Sequence, residues 1–438
     1  MNITVIGLGY LGTTHAVAMA QLGHDVIGIE PNAARVADLE AGRLPFYEPG
    51  LQDALTAAIG SGRLSFATAH GESSKTAAVH FLCVGTPQSS DSNKADTSYL
   101  YSAVEALIPV LSTDAVIAGK STVPVGTAAE LAEHASKLAG HPVHLAWNPE
   151  FLREGTALQD SLAPDRIVLG VTDEHSENVL REFYAPITAT GTPLLTTDLP
   201  TAELVKVAAN SFLATKISFI NAVAEVAEAA GADAVRLAEA IGLDERIGSK
   251  FLRNGVGYGG GCLPKDVRAF IARAEDLGVS SAADFLHDVE AINARRRERV
   301  VTLAQQTLGG VSGKRILILG AAFKPDTDDL RESAALDIAK QLDDLGAKVV
   351  VHDPMALPAL VRQHPQWAGD QDVFAAASGA ELVILATEWR QYRELDPFEL
   401  GTKVGAKNLI DGRNLLDIAR WQSAGWHVDA LGRNIKNG

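Results

Sequence analysis

The glycine-rich approach to one cysteine carries the most chemistry in this 438-residue chain. The stretch reads Gly255-Val256-Gly257-Tyr258-Gly259-Gly260-Gly261-Cys262-Leu263-Pro264-Lys265-Asp266. Glycines let a backbone wrap closely round a ligand. Pro264 suits the start of a helix, so the Cys262 thiol is expected near free N–H groups that favour the thiolate and its nucleophilicity. Asp266 follows one helical turn later. The other cysteine, Cys83, falls in the apolar run Val79–Val84 and reads as a core residue.

Three further segments offer groups that could assist such a thiol. Lys206 and Asn210 are four residues apart on a long helical pattern and share a face. A lysine on a largely apolar helix is costly unless paired or used, and together the two could hold a developing oxyanion by charge and by amide donation. Lys120-Ser121-Thr122-Val123-Pro124 follows a strand pattern, which puts Thr122 at the carboxyl end of a sheet, where ligands bind. Asn148-Pro149-Glu150-Phe151-Leu152-Arg153-Glu154-Gly155 sets two carboxylates beside an apolar pair. Taken singly, each segment also reads as ordinary structure: a turn hydroxyl, a loop entering a helix, a snorkelling lysine.

A cofactor that accepts electrons is written at the amino terminus. Gly7-Leu8-Gly9-Tyr10-Leu11-Gly12 follows the strand pattern Ile3–Ile6 and opens an amphipathic stretch, Leu11–Leu22. Gly7 permits the tight turn, Gly9 admits a pyrophosphate, and Gly12 lets the helix pack on the sheet. Phosphates would meet the helix N-terminus. The next strand, Asp25–Glu30, ends in Glu30, which can accept the ribose hydroxyls and would repel a 2′-phosphate. This favours NAD over NADP, although Arg35 five residues on could tolerate a phosphate. A thiol beside a nicotinamide suggests a primary alcohol oxidised to an aldehyde, captured as a thiohemiacetal, oxidised again to a thioester and released as an acid.

The elements that must position these groups fall into three parts: an NAD-binding Rossmann domain over 1–200, a helical middle with the catalytic loop over 201–300, and a smaller α/β domain over 301–438. Strand patterns at Leu64–Ala67, Val79–Val84, Ala115–Gly119 and His144–Ala146 extend the first sheet. Thr201–Ala230 reads as one long helix, apolar on more than one face, that serves as a spine and offers a surface to a second copy of the chain. Strand patterns at Arg315–Gly320, Lys348–His352, Glu381–Thr387 and Asn408–Ile410, with a helix over Asp337–Leu345, build the last domain. Its first turn, Gly320-Ala321-Ala322-Phe323-Lys324, lacks the glycine triplet. The fold class is α/β: two Rossmann-like doubly wound domains joined by a long central helix in a helical middle domain.

Composition narrows the partners. Hydrophobic residues make up 47% and charged residues 21%, as in a globular chain. A net charge of −16 is the wrong sign for a polyanion binder, so no nucleic acid is expected. Two cysteines are too few for a disulfide framework. No basic leader precedes the apolar run at Ile3, and no uninterrupted apolar stretch is long enough for a membrane span. A cytoplasmic protein is expected, with no metal site and no membrane partner.

The combined pattern resembles the UDP-glucose/GDP-mannose dehydrogenase family, and most closely its UDP-glucose type. The resemblance covers nearly the whole chain. It is carried in family order by Gly7–Gly12, Ser121–Val125, Asn148–Gly155, Pro164-Asp165-Arg166, Glu203–Asn210, Arg246–Asp266, Phe323–Ser333 and Asp411-Gly412-Arg413. It implies NAD-dependent four-electron oxidation of UDP-glucose to UDP-glucuronate by a homodimer, with Cys262 as nucleophile and Lys206 and Asn210 as oxyanion holders. Asp266, Thr122 and Glu154 would arrange water and proton transfer, and which of them is the base stays open. Cofactor contacts would come from Gly7, Gly9, Tyr10, Leu11, Gly12, Glu30, Arg35, Thr86, Thr122, Glu154, Lys265 and Arg331. Substrate contacts would come from Glu150, Phe151, Leu152, Arg153, Lys206, Asn210, Phe251, Tyr258, Gly259, Lys324 and Arg413, with Arg246 reaching over from the neighbouring subunit. Gly261 stands where many members carry Ser and Leu263 where many carry Phe. Neighbouring readings are the same chemistry on GDP-mannose or a UDP-N-acetylhexosamine, a β-hydroxyacid dehydrogenase, or a non-catalytic NAD sensor. The second needs no cysteine, and the third should have lost part of the catalytic set.

Overall fold

Short runs rich in Val, Ile and Leu build two sheets. The structure, a computed structural model, describes residues 1–90 and 92–435. The first sheet contains β1 (Asn2–Ile6), β2 (Asp25–Ile29), β3 (Leu64–Ala67), β4 (Val79–Leu82), β5 (Val116–Gly119), β6 (His144–Trp147), β7 (Ile167–Gly170) and β8 (Leu194–Thr197). Their spatial order is β3-β2-β1-β4-β5-β6-β7-β8, parallel throughout except where Trp147 meets Gly170 between β6 and β7. Every residue of β4, β5 and β7 is buried, as expected for strands covered on both faces. The order reverses where β1 lies between β2 and β4, and ligands bind at the carboxyl ends beside such a reversal.

The second sheet contains β9 (Arg315–Leu319), β10 (Lys348–His352), β11 (Ala368–Gly369), β12 (Leu382–Leu385), β13 (Asn408–Asp411) and β14 (His427–Ala430), in the order β11-β10-β9-β12-β13-β14. It repeats the order of the first six strands of the other sheet and is parallel in every pairing. Four strands were not foreseen from sequence: β7, β8, β11 and β14. β8 is half exposed and β11 has two exposed residues, so neither carries a clear burial pattern.

The chain folds into two compact units, Met1–Ala209 with Arg268–Val279, and Asn210–Val267 with Ser280–Gly438. In the first, the helix Tyr10–Gln21 packs its buried face, Ala16 to Ala20, into the core under β1 and β4. In the second, Leu317, Ile338, Val350, Ile384 and Leu409 centre the core.

The long helix runs Leu199–Ala230, 32 residues, or about 48 Å at the usual rise. It is long and apolar enough to cross a membrane by length and composition. It nevertheless serves as a core helix: Ala202, Ala214, Ile220 and Ala224 are fully buried, and Ser218 donates to the Val289 carbonyl at 2.7 Å. Leu204, Phe212, Phe219 and Val226, seven or eight residues apart, are exposed on it.

Candidate active site

The glycine turn after β1 has the shape a dinucleotide needs. Gly7 has φ of 90°, and its N–H donates to the Ile29 carbonyl at 2.8 Å. A Cβ on Gly12 would lie 1.8 Å from the Gly7 oxygen, so the helix can start here only without a side chain. A Cβ on Gly9 would meet nothing within 4 Å, which leaves open space where the pyrophosphate approaches. Glu30 accepts the Leu8 N–H at 3.1 Å, the Asn32 N–H at 3.1 Å and the Arg35 guanidinium at 3.2 Å. Arg35 is thus tied to the acid. These residues fit NAD: Gly7, Gly9 and Gly12 would cradle its pyrophosphate and Glu30 its ribose.

Tyr10 leaves this turn and donates to Glu48, whose carboxylate also takes the N–H groups of Gly155 at 2.7 Å and Ala157 at 2.6 Å. Burial, then the bond to Glu48, raises the Tyr10 pKa, and the nearby charge of Glu154 raises it further. The short helix Ala157–Leu162 has no side-chain cap of its own, so Glu48 caps it from another segment. Thr86 lies at the end of the β4 loop and donates to the Thr122 carbonyl at 2.7 Å.

The loop from Asn148 to Gly155 is held at each end and between. Glu150 divides its carboxylate, one oxygen taking the Leu152 N–H at 2.7 Å and the other the Lys206 ammonium at 2.9 Å. Lys206 is only 5% exposed, so its charge is paired as the apolar helix requires. Phe151 carries the Arg166 guanidinium 3.6 Å above its ring. Arg153 grips Asp160 through its backbone N–H at 2.8 Å and its guanidinium at 2.5 Å. Glu203 caps the helix Thr127–Ala139 by accepting from Gly126 and Ala128, each at 2.7 Å, and burial raises its pKa.

One turn beyond Lys206 on the long helix, Asn210 donates its amide to Asp266 at 2.6 Å. Lys265 donates to the other oxygen of Asp266 at 2.7 Å. Asp266 is 1% exposed. Cys262 immediately precedes the helix Leu263–Asp276 and its carbonyl takes the Asp266 N–H at 2.9 Å, so the thiol stands at a helix N-terminus as the sequence suggested. It is exposed, whereas Cys83 is buried and its thiol is pushed up to about 12.

Gly257 and Gly259, before Cys262, are required by close neighbours. Asn293 clamps Tyr258, accepting its N–H at 2.8 Å and donating to its carbonyl at 3.0 Å, and a Cβ on Gly257 would fall 2.2 Å from the Asn293 oxygen. A Cβ on Gly259 would strike the Glu332 carbonyl at 2.2 Å, and one on Gly261 the Arg331 guanidinium at 2.4 Å. The Arg331 guanidinium is the end of a long, exposed side chain that can swing aside, so nothing in the structure explains the departure of Gly261 from the common Ser. Arg331 also chelates Asp329. Arg413 donates to the carbonyls of Ala386 at 2.8 Å and Gly257 at 3.0 Å. Lys324 lies 5.4 Å from the Phe323 ring.

The structure thus joins Glu150 to Lys206, Asn210 to Asp266 and Lys265, and Arg413 to the Tyr258 loop. It leaves Arg246 on the surface, paired with Asp244 at 2.6 Å. Phe251 is exposed too, at a left-handed φ of 61° that side chains seldom adopt. Sequence reasoning assigned no role to Glu48, Arg166 or Asn293. The segment Phe46-Tyr47-Glu48-Pro49-Gly50 gives one hint, an acid between aromatic and turn residues, but the Gly155 and Ala157 N–H groups it caps lie more than a hundred residues away.

Three stretches match domains of one family: residues 1–188 the NAD binding domain, 200–295 the central domain and 317–418 the UDP binding domain of the UDP-glucose/GDP-mannose dehydrogenase family. The chain is 37% identical over 436 residues to a UDP-glucose 6-dehydrogenase of Bacillus subtilis, covering 99% of this chain and 98% of the relative. It is similar to the structure of a UDP-glucose dehydrogenase from Pyrobaculum islandicum, with TM-score 0.88, 39% identity, and coverage of 97% of this chain and 98% of that one. A UDP-D-ManNAc dehydrogenase from Pyrococcus horikoshii has TM-score 0.86 at 26% identity, covering 99% of both chains.

Proposed function

The chain belongs to the UDP-glucose/GDP-mannose dehydrogenase family and is an NAD-dependent nucleotide-sugar dehydrogenase; from that premise we propose that it oxidises UDP-glucose to UDP-glucuronate. The observation that carries this reading is the pairing along one helix. Lys206 takes its acid from Glu150, and Asn210, one turn on, takes its acid from Asp266 in the helix that Cys262 begins. The identity to UDP-glucose 6-dehydrogenases supports glucose over an N-acetylated sugar.

Bound NAD supplies the hydride acceptor in both oxidations. The protein's residues do the rest. In the first step the C6 hydroxyl loses a proton and C6 loses a hydride, giving the aldehyde. Lys206 and Asn210 would hold the oxygen as it gains charge. The Cys262 thiolate then adds to the aldehyde carbon, forming a C–S bond, and the oxygen takes a proton to give the thiohemiacetal. Loss of a second hydride and of the hydroxyl proton gives the thioester. Water, oriented by Asp266, cleaves the C–S bond, releasing the carboxylate and restoring the thiol. Overall, alcohol, two NAD⁺ and water give carboxylate, two NADH and three protons.

Glu150 holds Lys206 directly and is therefore the better candidate for accepting a proton through that lysine. Glu154 and Thr122 would act on cofactor placement. The exposed stripe Leu204, Phe212, Phe219 and Val226 supports a homodimer across the long helix, which would bury it. A reducing cytoplasm suits a thiol that must stay reduced to work.

Cys262→Ser tests the scheme. With UDP-glucose and excess NAD it should yield less than about 1% of the wild-type rate of acid formation, since no thioester can form. Full acid production by this variant would remove the covalent route.

A further inference from the structure

Lys120 is a buried cation that the scheme above does not use. It stands directly after β5 and is 7% exposed. Its hydrogen-bond partners are neutral: the Asn148 side-chain oxygen at 2.9 Å and the Tyr184 hydroxyl at 3.3 Å. The rings of Phe81 and Tyr184 lie 5.7 and 5.9 Å away. Burial pushes its pKa down to about 8. An ammonium in such a place is costly, and an apolar side chain of similar length would fill the space more cheaply. The cost calls for a return.

The return lies two residues past its main partner. Asn148 is fully engaged: its N–H donates to Gly119 at 2.7 Å, its side-chain amide to Val168 at 2.9 Å, and its oxygen takes both Lys120 and the Tyr184 hydroxyl, the latter at 2.5 Å. This junction fixes the start of the loop that carries Glu150, and Glu150 holds Lys206. Lys120, Asn148, Glu150 and Arg166 line one cavity of about 50 Å³ that opens to solvent. The Lys120 charge also attracts Glu150 and repels Lys206, with Cys83 and His15 as its other titratable neighbours.

We propose that Lys120 is a positioning residue for the oxidation: its buried charge locks the Asn148 turn and keeps Glu150 in place beside a cation when Lys206 turns its hydrogen bonds to the substrate oxygen. The proposal rests on the functional reading above, because it needs Lys206 to serve the substrate.

The test compares wild type, Lys120→Met and Tyr184→Phe by steady-state kinetics, thermal melting and amide hydrogen exchange. Lys120→Met should lower kcat about 10–100-fold, as misplacement of a catalytic group does, while KM for NAD changes less than about twofold. Its amides from 150 to 155 should exchange about tenfold faster. Its melting temperature should stay level or rise, because a buried charge has gone. Tyr184→Phe keeps the ammonium and should lose only about threefold in kcat. A Lys120→Met enzyme within about twofold of wild-type kcat, or one whose activity falls only in step with a lowered melting temperature, overturns the proposal. If wild type itself turns over no nucleotide sugar, the functional reading fails, and unchanged loop exchange in Lys120→Met would separately overturn the positioning role.

Discussion

The two sheets start alike and end differently. In both, a left-handed glycine follows the first strand and donates its N–H to the end of the second strand: Gly7 to Ile29 and Gly320 to His352, each at 2.8 Å. In both, an acid follows the second strand and accepts N–H groups from that turn. Glu30 takes one such N–H, from Leu8 at 3.1 Å. Asp353 takes two, from Ala321 at 2.7 Å and Ala322 at 3.0 Å, and adds Met355, Ala356 and the Trp389 ring N–H. A carboxylate offers about four acceptor sites, so Asp353 has no room for a ligand and serves to seal the turn, whereas Glu30 keeps capacity. The first sheet then starts its helix at once, at Tyr10. The second waits until Ala334, and the intervening chain holds Lys324 and Arg331. One topology therefore presents a dinucleotide cradle in the NAD binding domain and a sealed, side-chain-bearing loop in the UDP binding domain.

The largest effect should come from closing the first cradle. Gly12→Val would drive a side chain into the Gly7 oxygen and should weaken NAD binding more than about 100-fold in calorimetric titration. UDP-glucose binding should change less than about threefold. Equal loss for both ligands would break the division of labour between the sheets.

Exchanging the acids sharpens it. Asp353→Ala leaves five donors without their acceptor and should cost more than about 3 kcal/mol in denaturant unfolding. Glu30→Ala should cost less than about 1 kcal/mol yet raise KM for NAD about tenfold. The reverse pattern would contradict the reading of Asp353 as a structural seal.

The effect that is smallest at neutral pH, and grows with acid, comes from buried histidines. The first unit buries His15, His24 and His80, all with lowered pKa through burial, His80 to about 3. The unfolded chain takes up these protons below about 6.5 while the fold refuses them. Stability should therefore be full above pH 6.5 and fall as pH drops toward 3, by at most about 1.4 kcal/mol per pH unit for each histidine. His80→Gln should flatten this slope in melting curves taken from pH 7 to 4. An unchanged slope would show that other groups govern acid unfolding.

Much of this was legible in the sequence. The glycine turn, Glu30, the long helix and Cys262 at a helix start all declare themselves locally, through spacing and φ-permissive residues. So does the i, i+4 relation of Lys206 to Asn210. The clamps are not local. Glu48 reaches Gly155 across 107 positions, and Asn293 reaches Tyr258 across 35. Neither has a periodicity to betray it, because each acts through backbone N–H groups that any residue supplies. The strands β8 and β11 escaped for the opposite reason, being too exposed to carry an apolar pattern. Asp353 follows β10 as Glu30 follows β2, and only its five donors set it apart.

The most direct test of the central claim is the amount of NADH formed per nucleotide sugar consumed, with UDP-glucose, GDP-mannose and a UDP-N-acetylhexosamine assayed in parallel. The account predicts two NADH for each UDP-glucose, with UDP-glucuronate as the product and much slower turnover of the other sugars. One NADH for each UDP-glucose, with the aldehyde accumulating, would contradict it.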